Sequence, residues 1–110
     1  MAAKFTLGKS ADGQFYFNLK AANGDIILAS ETYREKSGAR KGIESVRVNA
    51  PSDSRYERRA SSDGQHYFVL RAANGETIGR SETYTSTGAM ENGIAAVKRN
   101  APDAPVEDLT

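Results

Sequence analysis

The stretch Ala21-Ala22-Asn23-Gly24 returns as Ala72-Ala73-Asn74-Gly75, and the whole chain is written twice around it. The offset, 72 − 21 = 51, also pairs the polar motif Ser30-Glu31-Thr32-Tyr33 with Ser81-Glu82-Thr83-Tyr84. A fixed period without gaps indicates a duplicated supersecondary unit. Two copies are fewer than the roughly three that a solenoid needs. We therefore expect the two units to complete one shared core.

The first copy predicts a three-stranded meander followed by a helix. Alternating apolar side chains predict strands over residues 4–9, 15–21 and 25–30. An Asp-Gly turn joins the first two strands, and Asn23-Gly24 is typical of a two-residue type I′ hairpin, in which both residues take positive φ. A polar segment then leads into a helix over about residues 37–48.

The helix of each copy carries an apolar stripe with a glycine in its middle, at Gly42 and at Gly93. A glycine inside a helix costs about 1 kcal/mol relative to alanine. Finding it twice predicts that each helix approaches the sheet closely. Asn49 and Asn100 are predicted to end the helices as left-handed cap residues, since a proline follows each of them two residues later.

The second copy predicts strands over residues 55–59, 65–72 and 76–81, with Ser86 or Thr87 capping its helix. The tail, residues 103–110, is polar, and residues 106–109 form either a short strand or a frayed end. We expect one domain made of two repeats, 1–51 and 52–102, followed by the tail.

The predicted fold class is α+β: tandem β3-α(-β) repeats form a single antiparallel sheet, with two helices on one face and a pseudo-two-fold axis. An antiparallel sheet can leave its other face to water. The side chains expected beneath the helices are Phe17, Leu19, Ile27, Phe68, Leu70 and Ile78. Those expected on the opposite face are Tyr16, Asn18, Lys20, Tyr67, Val69 and Arg71.

Several repeated motifs together point to a known family: the Asp-Gly turn, Leu-x-Ala-Ala-Asn-Gly, Ser-Glu-x-Tyr, and Gly-Ile-x-x-Val ending in Asn-Ala. The combination resembles the YegP-like family of small bacterial proteins, which carry a domain of unknown function once or in tandem. The resemblance implies β3-α-β repeats in one sheet, with C-terminal strands exchanged between repeats or subunits. It implies that residues 55–59 and 106–109 are such exchanged strands, and it supplies no catalytic or binding residues.

Composition excludes several classes of site. The chain has no cysteine, so disulfides, thiolate nucleophiles and cysteine metal sites are absent. Phosphate-loop, dinucleotide-binding and zinc motifs are also missing, so we expect no cofactor and no metal. Without a signal-like segment or an apolar run near 20 residues, a cytoplasmic protein that does not enter a membrane is expected.

The basic residues are balanced by acidic ones, since the net charge is +1. One cluster stands out, formed by Arg55, Arg58 and Arg59. We interpret it as a charged edge strand that discourages edge-to-edge pairing. A phosphate-binding patch is the alternative.

Two features are candidates for chemistry. His66, the single histidine, takes the position of Phe15 and is expected to fill space at a strand start; a general base or ligand is the alternative. The repeated Ser-Glu-Thr-Tyr motif is expected to be a turn whose Ser and Glu satisfy backbone N–H groups. The functional alternative makes its residues two equivalent rims of a ligand cleft: Ser30, Glu31, Tyr33, Ser81, Glu82 and Tyr84.

An active site is usually single, so duplication of the distinctive polar residues favours structure or symmetric binding over catalysis. The leading hypothesis is a monomeric, non-enzymatic binding or protein-interaction module, with a peptide added at an exposed sheet edge as one possibility. The second is single-stranded nucleic-acid binding, in which Tyr16 and Tyr67 stack bases while Lys20 and Arg71 meet phosphates. Near-zero net charge disfavours it, and a small hydrolase ranks last.

Overall fold

The computed structural model describes residues 3–110, in which seven strands and two helices follow one another as β1-β2-β3-α1-β4-β5-β6-α2-β7. The helices, of 14 residues each, are α1 (Lys36–Asn49) and α2 (Thr87–Asn100). The strands are β1 (Lys4–Lys9), β2 (Phe15–Lys20), β3 (Ile26–Ala29), β4 (Tyr56–Ala60), β5 (His66–Arg71), β6 (Thr77–Arg80) and β7 (Val106–Asp108).

The seven strands of the described region form one sheet in the order β4-β5-β6-β3-β2-β1-β7. The predicted α+β fold with a single sheet is confirmed, but one pairing was predicted wrongly. β7 runs parallel to β1, so the sheet is mixed rather than purely antiparallel. The reason is that the chain reaches the edge of β1 from helix α2, and a helical connection brings a strand back parallel where a hairpin cannot.

The strands that were expected to be exchanged behave differently from each other. β4 pairs with β5, so it remains within the second meander and forms one edge of the sheet. β7, in contrast, leaves the second repeat and pairs with β1 of the first. The 106–109 segment therefore adds a strand, and it does so by crossing between repeats.

Both helices cover one face of the sheet, as predicted. Ile43 and Val46 of α1 and Ile94 and Val97 of α2 join the core strand residues in one buried cluster. The mid-helix glycines permit this approach, since a Cβ placed on Gly42 would lie 2.8 Å from Cε2 of Phe17. A side chain at position 42 would displace the fully buried ring of Phe17. Glycine is therefore present here although it lowers the stability of a helix.

The pseudo-two-fold axis passes through the bridge between Ala29 of β3 and Arg80 of β6. Because 80 − 29 = 51, the two bridged residues occupy the same position in the two copies. Their neighbours Leu28 and Gly79 are also equivalent, and they differ in size. A Cβ on Gly79 would lie 2.6 Å from Cδ2 of the fully buried Leu28. Leucine in one copy thus occupies space that glycine leaves open in the other.

The Asn23-Gly24 hairpin turn and its counterpart at Asn74-Gly75 differ from the predicted type I′ geometry. Gly24 has φ of 90°, but no non-glycine residue within 3–110 has positive φ, so Asn23 does not. The N–H of Gly24 donates to the carbonyl oxygen of Ala21 at 2.9 Å, and Ala21 then pairs with Asp25. This pattern is a three-residue loop that ends in a left-handed glycine. A single positive φ satisfies it, so the asparagine stays in an ordinary conformation.

The asparagines at the helix ends were also interpreted wrongly. Asn49 and Asn100 are the last residues of α1 and α2, and neither has positive φ. Each side-chain amide donates instead to the carbonyl oxygen four residues earlier, from Asn49 to Ser45 at 2.8 Å and from Asn100 to Ala96 at 2.9 Å. The chain also stays right-handed beyond each asparagine, since the N–H groups of Ala50 and Ala101 still donate to the carbonyl oxygens of Val46 and Val97.

We expect Gly79→Ala to lower the free energy of unfolding by about 1–3 kcal/mol, because its Cβ overpacks a site that Leu28 already fills. Combining it with Leu28→Ala should be less destabilising than the sum of the two single changes. Urea denaturation measures the cycle. Gly88→Ala in α2, where the nearest atom would be 4.0 Å away, is the control and should not destabilise. Additive effects of the 28 and 79 changes would contradict this packing.

Charged contacts hold β7 in place. The carboxylate of Asp108 lies 2.5 Å from Nζ of Lys36 and 3.0 Å from Nη2 of Arg40, both in α1. The ammonium group of Lys36 and the hydroxyl and amide of Thr110 hold the pKa of Asp108 well below its ordinary value. The backbone N–H of Leu109 donates to the carbonyl oxygen of Leu7 at 2.8 Å, just past the strand.

Because the pKa of Asp108 is lower in the folded protein, its contribution to stability is present above the ordinary value of 3.8 and is lost as the pH falls below that value. We expect the Leu109 amide signal in NMR spectra to move towards its unfolded position as the sample is acidified. Asp108→Asn should weaken β7 docking already at neutral pH. The matched change Asp103→Asn should not, and equal behaviour of the two variants would contradict this role.

Candidate functional site

A groove of about 540 Å³ lies on the pseudo-two-fold axis, between β3 and β6. This size falls within the usual range for small-molecule sites. We call it the axial groove, and its lining includes Ile26, Ala29, Glu31, Thr77, Arg80 and Glu82. Ala29 pairs with Asn18, and Arg80 pairs with Val69. The groove therefore opens on the face away from the helices, which we call the open face.

The two ends of the axial groove are related by the repeat. Glu31 lies two residues beyond Ala29, and Glu82 lies two residues beyond Arg80, in strands that run in opposite directions. Each glutamate lies two residues past the end of its strand, so the two stand on opposite sides of the axis. Burial raises the pKa of the Tyr33 hydroxyl, and the charges of Glu31 and Glu76 raise it further. Both carboxylates act on this hydroxyl, but of the two only Glu31 lines the groove.

The serines of the repeated motif serve the backbone. Ser30 Oγ accepts a hydrogen bond from the Phe17 N–H at 2.8 Å and donates one to the carbonyl oxygen of Glu31 at 2.7 Å. Ser81 repeats both bonds, with the Phe68 N–H at 3.0 Å. Each hydroxyl thus takes the place of a backbone carbonyl as the acceptor of a sheet hydrogen bond, just past the end of the strand.

The tyrosines of the motif lie on the helix side, away from the groove. Tyr33 stacks on Phe17 with ring centroids 6.2 Å apart, and Tyr84 stacks on Phe68 at 6.4 Å. Their hydroxyls lie where a side chain on Gly42 or Gly93 would be. The motif is therefore divided: its serines and tyrosines pack and bond internally, and its glutamates line the axial groove.

The candidate binding face, Tyr16, Lys20, Tyr67 and Arg71, lies on the open face, but its members are engaged unequally. The ring of Tyr16 covers Gly8, where a Cβ would lie 2.8 Å from Cζ. Arg71 bonds to Glu57 at 2.7 Å and to the Gly75 carbonyl oxygen at 2.8 Å. The guanidinium of Arg80 lies 4.6 Å from the centre of the Tyr67 ring.

The other sequence candidates do not converge on the axial groove. His66 is half-buried, bridges Tyr84 through its backbone, and makes no side-chain hydrogen bond within the described chain. β4 is an edge strand, as its charges predicted. Arg58 binds Glu91 and Asp53, Arg59 binds Glu57, and Arg55 bonds to Asn49. No group of three or more His, Asp or Glu in residues 3–110 is arranged to hold a metal ion.

Sequence reasoning missed the floor of the groove, which includes Ile26, Ala29, Thr77 and Arg80. It favoured residues that are identical in the two copies, whereas these positions differ: Ile26 corresponds to Thr77, and Ala29 to Arg80. The sequence did contain one indication of this groove. The two copies differ at these positions, although the motifs on either side of them match.

Comparison with known proteins agrees with this architecture. The family model for a domain of unknown function, DUF1508, matches twice, at residues 10–57 and 61–108. The chain belongs to the YegP-like, or UPF0339, family. It is 50% identical to UPF0339 protein YegP of Escherichia coli over 110 residues, covering 100% of both chains. It is 53% identical to a UPF0339 protein of Bordetella pertussis, covering 100% of this chain and 98% of that one.

Two solved structures share the fold of this YegP-like protein. The solution NMR structure of E. coli YegP matches with a TM-score of 0.94 and 50% identity, covering 100% of this chain and 95% of that one. That of a UPF0339 protein from Shewanella oneidensis matches with a TM-score of 0.94 and 46% identity, covering 100% and 93%. These relatives carry names of uncharacterised proteins. Within residues 3–110, no helix is both long and apolar enough to cross a membrane.

The division of the repeated motif can be tested by stability. Ser81→Ala leaves the buried Phe68 N–H without its acceptor, which should lower the free energy of unfolding by about 1–3 kcal/mol. Glu31→Gln and Glu82→Gln remove exposed carboxylates and should leave it nearly unchanged. Chemical denaturation measures all three variants. A loss with the glutamine variants as large as that with Ser81→Ala would show that the glutamates are structural.

Proposed function

We propose that this YegP-like protein is a non-enzymatic binding module whose ligand occupies the axial groove. The observation that carries the proposal is the position of Glu31 and Glu82, one at each end of a groove that straddles the axis. A duplicated chain that binds on its own axis presents matching polar groups to the two ends of one ligand. This explains why the glutamates are repeated although their side chains make no hydrogen bond and no ion pair within residues 3–110.

Catalysis is less well supported by the same geometry. Glu31 and Glu82 stand at opposite ends of the groove, and within residues 3–110 neither carboxylate is hydrogen-bonded to a group that could act with it in catalysis. His66, the single histidine, lies at a strand start, and no side chain of residues 3–110 is hydrogen-bonded to its imidazole to orient it. A small hydrolase therefore remains the last of the three hypotheses.

Single-stranded nucleic acid on the open face is the second candidate. The Arg80–Tyr67 pair favours it, since arginine and aromatic rings together suit stacked bases. Against it, Tyr16 is packed on Gly8, and the charge of Arg71 is neutralised by the carboxylate of Glu57.

Under the leading proposal the protein is a monomer in the cytoplasm. Addition of a peptide to the exposed edge of β4 is a further mode of interaction.

The proposal is tested by blocking the groove. NMR spectra of ¹⁵N-labelled protein, recorded with and without the low-molecular-mass fraction of a bacterial extract, should show shifts at the amides of Ala29, Ser30 and Arg80. Ala29→Trp should abolish these shifts by filling the groove. Ala60→Trp, which places the same side chain at an exposed position of β4, should preserve them.

Thermal unfolding first establishes that both tryptophan variants are folded. Shifts that persist with Ala29→Trp, or that never involve the groove, would contradict the proposal. Binding of a labelled single-stranded oligonucleotide that is lost with Tyr67→Ala but kept with Ala29→Trp would favour the nucleic-acid alternative instead.

A further inference from the structure

We propose that Asn74 is a site of spontaneous deamidation, which reacts before the two other Asn-Gly pairs of the chain. The three pairs are Asn23-Gly24, Asn74-Gly75 and Asn92-Gly93. Asparagine is a thermolabile residue, and a following glycine leaves its own backbone nitrogen unhindered because it has no side chain. Since the dipeptide is the same in all three places, large differences in its reactivity come from the fold. The inference is independent of any ligand in the axial groove.

The reaction uses only the atoms of the pair and water. Solvent base takes the proton of the glycine N–H, and the nitrogen attacks Cγ of the preceding asparagine. The new N–Cγ bond closes a succinimide ring, the Cγ–Nδ2 bond breaks, and Nδ2 leaves as ammonia with a proton from water. Water then opens the ring at one of its two carbonyl groups. The product is aspartate or isoaspartate, and either one adds a negative charge.

The helical pair is protected by its position. Asn92-Gly93 lies inside α2, where each backbone N–H donates to the carbonyl oxygen four residues earlier. Gly93 is buried, and it lies against the hydroxyl of Tyr84. Its nitrogen therefore meets solvent base only when the helix opens.

The two hairpin pairs are accessible, because all four of their residues are exposed. In each pair the glycine N–H donates to the carbonyl oxygen of the residue three positions earlier, at 2.9 Å. This hydrogen bond lies at the tip of a loop, where local opening costs little free energy. Both hairpin pairs should therefore react before the helical one.

Two contacts place Asn74 ahead of Asn23. Nδ2 of Asn23 donates to the carboxylate of Asp25 at 3.0 Å, which holds the amide in place and brings negative charge near the reacting nitrogen. In the second copy the corresponding residue is a glutamate, and Nδ2 of Asn74 donates no hydrogen bond within residues 3–110. A cation is present there instead, since Nη1 of Arg71 donates to the carbonyl oxygen of Gly75 at 2.8 Å. Positive charge nearby favours a deprotonated nitrogen, and negative charge disfavours it.

The test incubates the folded protein in mildly alkaline buffer and follows deamidation by mass spectrometry after digestion with trypsin. Cleavage after lysine and arginine places the pairs in separate peptides with one asparagine each, residues 21–34, 72–80 and 81–98. We expect deamidation to be severalfold faster at Asn74 than at Asn23. It should be at least about tenfold slower at Asn92 than at Asn74, since opening a helix that packs on the core costs more than the ~1.4 kcal/mol that a factor of ten represents.

The same incubation in urea separates the effect of the fold from that of the local sequence. In the unfolded chain the three rates should converge. Equal rates in the folded protein, or the same ranking with and without urea, overturn the inference.

The repeat supplies a matched pair of variants for the contact at Asp25. Asp25→Glu and Glu76→Asp exchange the residues of the two copies and leave the net charge unchanged. Asp25→Glu should raise the rate at Asn23, and Glu76→Asp should lower the rate at Asn74. A rate that fails to move in either variant overturns the role assigned to this contact.

Discussion

The two halves of the sheet meet where β3 bridges β6 through Ala29 and Arg80, and the rest of the structure depends on how that contact is filled. On a two-fold axis, equivalent side chains face each other and compete for one space. Leu28 takes the space on the helix side because Gly79 leaves it empty. The central contact is thus built from unlike residues at like positions, and it joins two meanders that each bury their apolar face under shared helices.

On the open face, too, unlike residues occupy equivalent positions, and this difference produces the groove. Arg80 turns from the axis towards Tyr67, and its counterpart Ala29 is too small to fill the space. A symmetric pair of arginines at this contact would repel each other. Flanking this unequal centre, Glu31 and Glu82 are equal. The site therefore combines matching ends with a middle that differs between the copies.

Much of the fold was predictable from local sequence. The alternating apolar residues of β2 and β5, and the glycine-bearing stripes of the helices, placed the core correctly because burial on one face imposes a period of two or 3.6. Predictions that depended on a particular backbone conformation failed. Asn23 and Asn49 were assigned positive φ, but Gly24 alone supplies the positive φ of its hairpin, and α1 stays right-handed past Asn49, whose side chain donates to the Ser45 carbonyl oxygen. The direction of β7 was also beyond local sequence, since it follows from where α2 ends.

By itself, the sequence determined that the chain is a duplication, that each copy is a meander with a helix, and that its repeated serines, glutamates and tyrosines belong to one motif. Only the tertiary structure decided which of these residues face the groove. Ser30 and Tyr33 are turned inward by Phe17, whereas Glu31 is turned out towards the axis. The physical reason is that a groove between two repeats is formed by residues 51 positions apart, whose meeting depends on how the halves pair rather than on any spacing within one copy.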